Sequence, residues 1–421
     1  MTGLRASLNV LQERNFRWFF VSRSINMLGS MMTPVTLAFA VLHIDNSAES
    51  LGLVLAAQMG ANILFLLFGG VIADRLPRRA VMQGCYLAMA AIQATMAVSL
   101  ATGWASVASM MVLGALSGGV TAFSMPAQQG LIPQLVDREQ LQQADSLMSF
   151  VRNGGTFVGP VVGTMLVVTA GPALAIGIDA ATFLVASALL AKVELPSVIR
   201  RGTPMLTELR EGWSEFTSRT WLWVIVAAFG VLNAIHIGAW VVVGPVVAKN
   251  DPDLGIRGWG LVVGAEAVGM LVMSVILLHW RLQHPLRAGM AGMAFFAIPL
   301  LMLGIRPATL PMMAVAFVSG MGTQTFSTGW TVAMMERIPS EVLSRVSSYD
   351  MLGSFVALPI GTLAFGWLAD NVDVRTLLLV AGAAYATLAL ATLLVPQVWG
   401  LRRQGDEPES STLRQDLTKK A

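Results

Sequence analysis

The sequence predicts an all-α integral membrane protein, with twelve transmembrane helices built as two parallel six-helix repeats around a central cavity. Three observations predict it. Of the 421 residues, 55% are apolar and 12% are charged, about half the charged share of a soluble domain, and the mean hydropathy is +0.68. Apolar runs of membrane-spanning length recur along the whole chain. The basic residues gather in alternate connections between those runs.

The runs lie at 16–42, 51–73, 80–101, 105–132, 142–169, 172–194, 221–248, 258–279, 286–305, 309–335, 344–369 and 375–396. At 1.5 Å per residue each can cross a hydrocarbon core of about 30 Å. The fourth, fifth, seventh and tenth are long, which predicts tilt or ends that leave the lipid. Thr102-Gly103, Pro133, Gly171-Pro172, Asp251-Pro252, Pro285, Pro307 and Asn371 punctuate the runs as helix breakers do. With the N-terminus in the cytoplasm, 21 of the 27 Lys and Arg residues fall on that side. Four (Lys249, Arg257, Arg306 and Arg375) fall outside, and Arg23 and Arg152 lie within spans. That is the positive-inside pattern for an even number of spans in the cytoplasmic membrane, with both termini cytoplasmic. The polar start, Met1 to Arg14, leads into a full-length span, so no cleaved leader is expected.

The longest connection divides the chain into 1–194, a six-helix bundle; 195–220, a cytoplasmic linker; 221–396, a second bundle; and 397–421, a cytoplasmic tail expected to be disordered. In the linker, Leu206, Leu209, Trp213 and Phe216 recur at helical spacing, which predicts a short amphipathic helix on the membrane surface. The halves echo each other. Gly155-Thr-Phe-Val-Gly-Pro-Val-Val-Gly-Thr164 in the fifth span matches Gly353-Ser-Phe-Val-Ala-Leu-Pro-Ile-Gly-Thr362 in the eleventh. Ile132-Pro133 matches Ile338-Pro339, and Ser117-Gly118 matches Ser319-Gly320.

Several function classes lose ground. One cysteine, Cys85, excludes an intrachain disulfide and a multi-cysteine metal site, and no metal or cofactor is expected. Basic residues confined to short loops offer no nucleic-acid surface. A membrane enzyme would need a cluster of His, Asp or Cys at one depth, which four histidines do not supply. A channel would need a charged ring or filter repeat, and neither is present.

Polar residues instead form stripes. Arg23, Asn26, Ser30 and Thr33 share a face of the first helix; Gln58 and Asn62 of the second; Thr121, Ser124 and Gln128 of the fourth. Asp145, Ser149, Arg152, Thr156 and Gly159 share one of the fifth, Asn233, His236 and Trp240 one of the seventh, and Gln324, Thr328 and Thr331 one of the tenth. An arginine at mid-membrane costs about 2.5–3.5 kcal/mol on insertion scales, so stripes on several helices imply a shared wet cavity. Arg23, Asn26, Gln58, Asn62, Arg152, Asn233, His236, Trp240 and Gln324 are its candidate lining, and two arginines there suit an anionic small molecule. Arg23 can also be read as snorkelling to the inner surface, and His236 as a hydrogen-bonded core residue. Arg152 and Asp179, on consecutive helices and taken as about a turn apart in depth, read either as a structural ion pair or as cavity groups. Glu266 has no partner in its own helix and is the favoured proton carrier, with His236 assisting and Asp179 as a further candidate.

Two further strings stand out. Gly70-Val-Ile-Ala-Asp-Arg-Leu-Pro-Arg-Arg79 packs Asp74, Arg75, Arg78 and Arg79 between two spans. Gly155, Gly159 and Gly163 recur every fourth residue around Pro160, a spacing that permits close helix approach at a bend. The glycines read either as a closure point between the halves on the outer side or as ordinary small-residue packing.

With these strings the chain resembles the major facilitator superfamily. Gly70, Asp74, Arg75, Arg78 and Arg79 resemble its loop between the second and third helices, with Pro77 where glycine is common. Gly155, Gly159, Pro160 and Gly163 resemble the fifth-helix motif of its proton-driven exporters. Phe123-Ser-Met-Pro-Ala-Gln-Gln-Gly-Leu-Ile-Pro133, Asp179-Ala-Ala-Thr-Phe183 and Arg345-Val-Ser-Ser-Tyr-Asp350 narrow the resemblance to the twelve-span drug/proton antiporter subgroup, which includes macrolide-efflux and enterobactin-exporter-like members. One departure is Thr331, where relatives often carry Glu.

The resemblance implies a monomeric secondary transporter that exports drug-like or siderophore-like molecules by alternating access, in antiport with protons, and so a place in multidrug resistance or siderophore export. It also implies that Asp74 docks on the start of the eleventh helix, near Ser344 to Ser348, when the inner side is closed. A carboxylate at such a helix end is worth roughly 0.3–1 kcal/mol. A lipid or lysolipid transporter of the same fold is the alternative, and a membrane enzyme the weaker one.

Overall fold

A computed structural model of the chain describes residues 10–75, 77–136, 140–194, 213–280, 282–338 and 340–402. The regular structure among them is helical. Helix α1 is Arg14–Ile44, α2 Ala48–Arg75, α3 Arg78–Thr102 and α4 Val107–Leu131. Leu141–Leu190 holds two helices that meet at Gly171, whose φ of 82° and ψ of 163° are not helical and turn the chain back. Glycine takes that conformation without a Cβ clash, and the result is α5 (141–170) and α6 (172–190). Helix α7 is Thr220–Asn250, α8 Gly255–His279, α9 Pro285–Ile305, α10 Thr309–Arg337, α11 Ser340–Phe355 continued by Leu358–Asn371, and α12 Val374–Leu394.

Ten stretches among the described residues are long and apolar enough to cross a membrane. One of them, Gly154–Leu190, carries two helices because of the Gly171 reversal. Helix α10 is diluted by its polar face, yet its 29 residues extend about 43 Å, more than the hydrocarbon core requires. The total is twelve, as the sequence predicts.

Several helices are interrupted where proline falls inside them. α1 breaks at Met31-Met32 ahead of Pro34, and α11 breaks ahead of Pro359. In both, proline opens the following segment, where its missing N–H costs nothing. In α7 the break takes another form: His236–Val243 winds as a π-helix before Gly244-Pro245. Such widened turns tend to occur at functional positions.

The repeat seen in the sequence is also a repeat of packing. A methyl group added to Gly118 of α4 would lie 1.9 Å from the Gln58 carbonyl oxygen of α2, and one added to Gly320 of α10 would lie 2.0 Å from the Glu266 carbonyl oxygen of α8. The matched Ser-Gly pairs thus mark the same close crossing in each half, and Gln58 and Glu266 occupy equivalent places. Helices α1 to α6 form one bundle and α7 to α12 the other, touching chiefly through α2 with α11 and α5 with α8.

Helices α1 and α7 meet at their C-terminal ends, where Lys249 Nζ donates to the Leu42 carbonyl oxygen. Their starts therefore share the opposite side, called here the near face; the meeting side is the far face. At the near face Asn15 and Glu194 exchange hydrogen bonds of 2.9 and 3.1 Å between the start of α1 and the chain after α6. Arg79 donates to the Ala191 carbonyl oxygen at the end of α6 (2.7 Å), a favourable place for a cation. Of the linker, 195–212 lies outside the described residues. Residues 213–218 are helical, and Trp213 and Phe216 rest against Tyr349 of α11 with ring centroids 5.3 and 6.0 Å away. The tail from 403 onward also lies outside the described residues.

Candidate functional site

Helices α1, α2, α3, α4, α6 and α7 surround a cavity of about 530 Å³. From α1 come Arg23, Asn26, Ser30 and Thr33, the stripe read from the sequence; Gln58 comes from α2; Thr121, Ser124 and Gln128 from α4. Arg23 donates to Asn26 Oδ1 (2.9 Å), which fixes the guanidinium along the wall. A second cavity of about 410 Å³ shares Gln58, Met59 and Thr121 with the first, and runs past Asn62 to Met351, Leu352, Phe355 and Val356 of α11. It lies between the two bundles.

Asp179 of α6 lines the larger cavity. Its Oδ2 accepts from Thr33 Oγ1 and Gln93 Nε2, each at 2.8 Å, and its Oδ1 accepts from Thr182 Oγ1 at 3.3 Å. Three neutral donors on α1, α3 and α6 hold it. The expected pair with Arg152 is corrected by depth. Arg152 lies 19 residues before Gly171 and Asp179 eight residues after it, so they differ by about 16 Å along the membrane normal. Arg152 is exposed, on the near-face side.

Other residues expected in the cavity are placed elsewhere. Asn233 donates to the Ser354 carbonyl oxygen (3.0 Å), joining α7 to α11, and Gln324 donates to Thr328 within α10 (3.2 Å). Trp240 donates its indole N–H to Glu266 Oε2 (3.1 Å). His236 packs at a tilt against Phe296 with ring centroids 4.5 Å apart, and Phe296 in turn meets Trp240 at 5.5 Å and Tyr385 at 5.3 Å. Glu266, partnerless within its own helix, thus gains a partner from α7 and sits within an aromatic cluster of the second bundle. The face of α7 that reaches the larger cavity carries Ile237 and Val241 instead. Which face of α7 meets the first bundle is set by packing between helices, and spacing along α7 does not reveal it.

The glycines of α5 face α1. Methyl groups at Gly155, Gly159 and Gly163 would lie 3.3, 2.5 and 3.0 Å from Met31 or Met32, at the break in α1. They join helices of one bundle, which is the packing reading of the two. Pro160 leaves its own helix short of a donor, and its carbonyl oxygen accepts from Thr164 Oγ1 (2.7 Å). It is Thr164 that reaches the other bundle, against Gly260 of α8.

The two bundles are closed upon each other at the far face. Asp370, near the end of α11, accepts from the backbone N–H groups of Ala48 (3.1 Å) and Glu49 (3.0 Å) and from Ser47 Oγ (2.5 Å). A carboxylate on the first N–H groups of α2 satisfies donors the helix cannot, and meets its positive end. Asn46 donates to Asn250 (3.1 Å) beside it. Below, a methyl on Gly52 would lie 2.4 Å from the Thr362 carbonyl oxygen, so α2 and α11 cross backbone to backbone. The sequence reading did not find Asp370, yet Gly366-Trp-Leu-Ala-Asp370 repeats the Gly-x-x-Ala-Asp order of Gly70-Val-Ile-Ala-Asp74. The side chains of Asp74 and Arg75, Gly70's surroundings and the Ser344 to Ser348 end of α11 lie outside the described residues, so the near-face contact expected of Asp74 does too.

The comparisons agree with this architecture. A family model described as a transmembrane secretion effector matches residues 5–413. Macrolide efflux protein A of Streptococcus pyogenes is 21% identical over 399 residues, covering 91% of this chain and 96% of that one. The enterobactin exporter EntS of Escherichia coli is 25% identical over 367 residues, covering 85% and 82%. Among solved structures, the nucleoside transporter NupG shares the fold with a TM-score of 0.69 at 13% identity, over 90% of this chain and 98% of that one. A bacterial homologue of the iron transporter ferroportin in an inward-facing state gives 0.68 at 17%, with the same coverage. The chain belongs to the transmembrane secretion effector family of the major facilitator superfamily, and is a multi-pass membrane transporter.

Proposed function

We propose that the protein exports amphipathic small molecules from the cytoplasm by alternating access, in exchange for protons. The observation that carries this reading is a central cavity that holds an arginine and a carboxylate, Arg23 and Asp179, with the two bundles held together at the far face by Asp370 on the start of α2. The concentration of Lys and Arg at the near face supports a cytoplasmic placement of that face, and a closed far face then fits loading from the cytoplasm. The efflux relatives support the outward direction. Domains 1–194 and 221–396 act as the two rocking bodies, with 195–220 as the cytoplasmic tether. Met59 and Met89 on the wall suit a pocket that adapts to different apolar bodies.

Asp179 is the coupling carboxylate favoured by position, because it stands on the cavity wall where substrate and proton can compete. Glu266, tied to Trp240 in the second bundle, is a second site, with His236 nearby across the aromatic cluster. The test is uptake of ethidium and of a macrolide into inside-out vesicles with and without an imposed pH gradient. Gradient-dependent uptake that Asp179→Asn abolishes, at unchanged protein level, supports the reading; uptake indifferent to the gradient overturns it.

A second reading, movement of a lysolipid, draws on the apolar second cavity between α2, α4 and α11, with exposed Met351, Leu352, Phe355 and Val356. A fluorescent lysophospholipid in the same vesicles distinguishes the two.

A further inference from the structure

Two polar groups on α3 are buried beside the larger cavity and left with capacity to spare among the described residues: Gln93 Oε1, which accepts from nothing, and the Tyr86 hydroxyl, whose proton finds no acceptor because its neighbour Arg23 can only donate. Their side chains are 1% and 2% exposed. A buried polar atom left unpaired keeps its desolvation penalty with no bond to offset it, and native chains keep few of them. Two on one wall call for an explanation, and a ligand supplies one.

The atoms differ in what they ask for. Tyr86 stands beside the Arg23 guanidinium, and together these offer hydrogen-bond donors and a positive charge. Gln93 turns its amide nitrogen to Asp179 (2.8 Å) and leaves the oxygen, which can only accept, without a donor. Seven residues separate Tyr86 from Gln93, which is nearly two turns: the same face of α3, about 10 Å apart along the axis. Between them lies Met89, and across from them Leu37, Leu55 and Met59.

We infer that this wall is a two-ended substrate subsite for an extended amphipathic organic acid. The acidic group lies against Arg23 and Tyr86, the apolar body against Met89, and a hydroxyl or N–H at the far end donates to Gln93. The assignment of this subsite to a transported molecule rests on the export reading above; the assignment to a bound molecule does not. The subsite also connects binding to Asp179, because the amide that accepts from the ligand is the one that donates to that carboxylate.

The experiment uses the full chain in lipid nanodiscs and three probes of one shape: 4-hydroxycinnamate, its methyl ester, which lacks the anion, and 4-methoxycinnamate, which lacks the donor. Binding is read by calorimetry and by the ligand-induced rise in melting temperature. The wild type is expected to bind the hydroxy acid about tenfold more tightly than either analogue, since one charged or buried hydrogen bond is worth about that factor. Arg23→Gln removes the preference for acid over ester and keeps the preference for hydroxyl over methoxy; Gln93→Leu does the reverse. Gln93→Leu also takes a donor from Asp179 and can fail to fold, so Tyr86→Phe is the second variant. Because that hydroxyl donates to nothing among the described residues, its removal is expected to leave the melting temperature without ligand nearly unchanged while weakening the acid about tenfold.

Absence of binding by the wild type, equal binding of all three probes, or a Tyr86→Phe protein that melts lower yet binds normally would each overturn the subsite. Gradient-driven export in vesicles without this discrimination overturns the subsite and leaves export standing. The discrimination without transport does the opposite.

Discussion

Trp240 and Glu266 show how a buried charge can be read correctly as unusual and still be misplaced. The sequence marks Glu266 as a carboxylate without a partner in its helix, but the donor comes from α7, 26 residues earlier, and no spacing rule reaches it. Removing that donor leaves a carboxylate among aromatic rings. Trp240→Phe is expected to lower stability by about 1–3 kcal/mol, read by thermal denaturation in detergent. Adding Glu266→Gln should recover part of the loss, because the neutral amide costs less to bury; no recovery would show that the indole acts through packing alone. The α1 stripe was legible because Arg23, Asn26, Ser30 and Thr33 repeat every three or four residues. Tyr86 and Gln93 escaped notice as single polar residues in an apolar run, although their spacing of seven put them on one face. Asp179 was legible as a buried charge, but its partner was not. Depth across two helices has to be counted from the turn at Gly171, and that count separates it from Arg152.

The breaks between helices were easier to read than the faces of the helices. Gly171-Pro172, Thr102-Gly103 and Pro285 fall where the structure turns, since glycine and proline act on the backbone locally. The faces depend on how each helix is rotated against its neighbours, and in α7 that rotation brings Ile237 and Val241 to the cavity in place of His236 and Trp240. The matched Ser-Gly pairs were legible as a repeat, and packing gives the reason: each glycine admits a neighbouring backbone. Gly118→Ala and Gly320→Ala should therefore each destabilise the protein by about 1–3 kcal/mol. Gly60→Ala, on a face of α2 where an added methyl meets nothing within 4 Å, should be neutral. Melting curves of the three variants test this, and similar losses at all three would show that helix crossing is not what the glycines provide.

At the scale of the whole molecule, twelve spans, both termini on one side and two homologous bundles follow from hydropathy, charge placement and internal repetition, because the bilayer allows few other arrangements. Which face is closed does not follow from these, since it depends on contacts between residues some 300 apart. The far-face latch of Asp370 on the start of α2 is such a contact. Its Gly-x-x-Ala-Asp echo of the Asp74 loop suggests one device used at both ends of the α2–α11 pair, each clasp available only when its own face is shut. A ligand or mutation moves such an equilibrium only through a difference between the two states. Asp370→Ala removes an interaction worth about 0.3–1 kcal/mol at an exposed helix start, enough to shift the ratio of states by up to about fivefold.

Distances between spin labels in nanodiscs test the central claim, that the two bundles rock about a cavity whose far face is held closed by Asp370. With Cys85 replaced by alanine, one pair of labels at Thr102 and Arg306 spans the far face and another at Gln134 and Gln283 spans the near face. The expected result is a single short far-face distance in the parent protein; in Asp370→Ala a longer far-face population appears together with a shorter near-face one. Far- and near-face distributions that both remain unchanged by Asp370→Ala would contradict it.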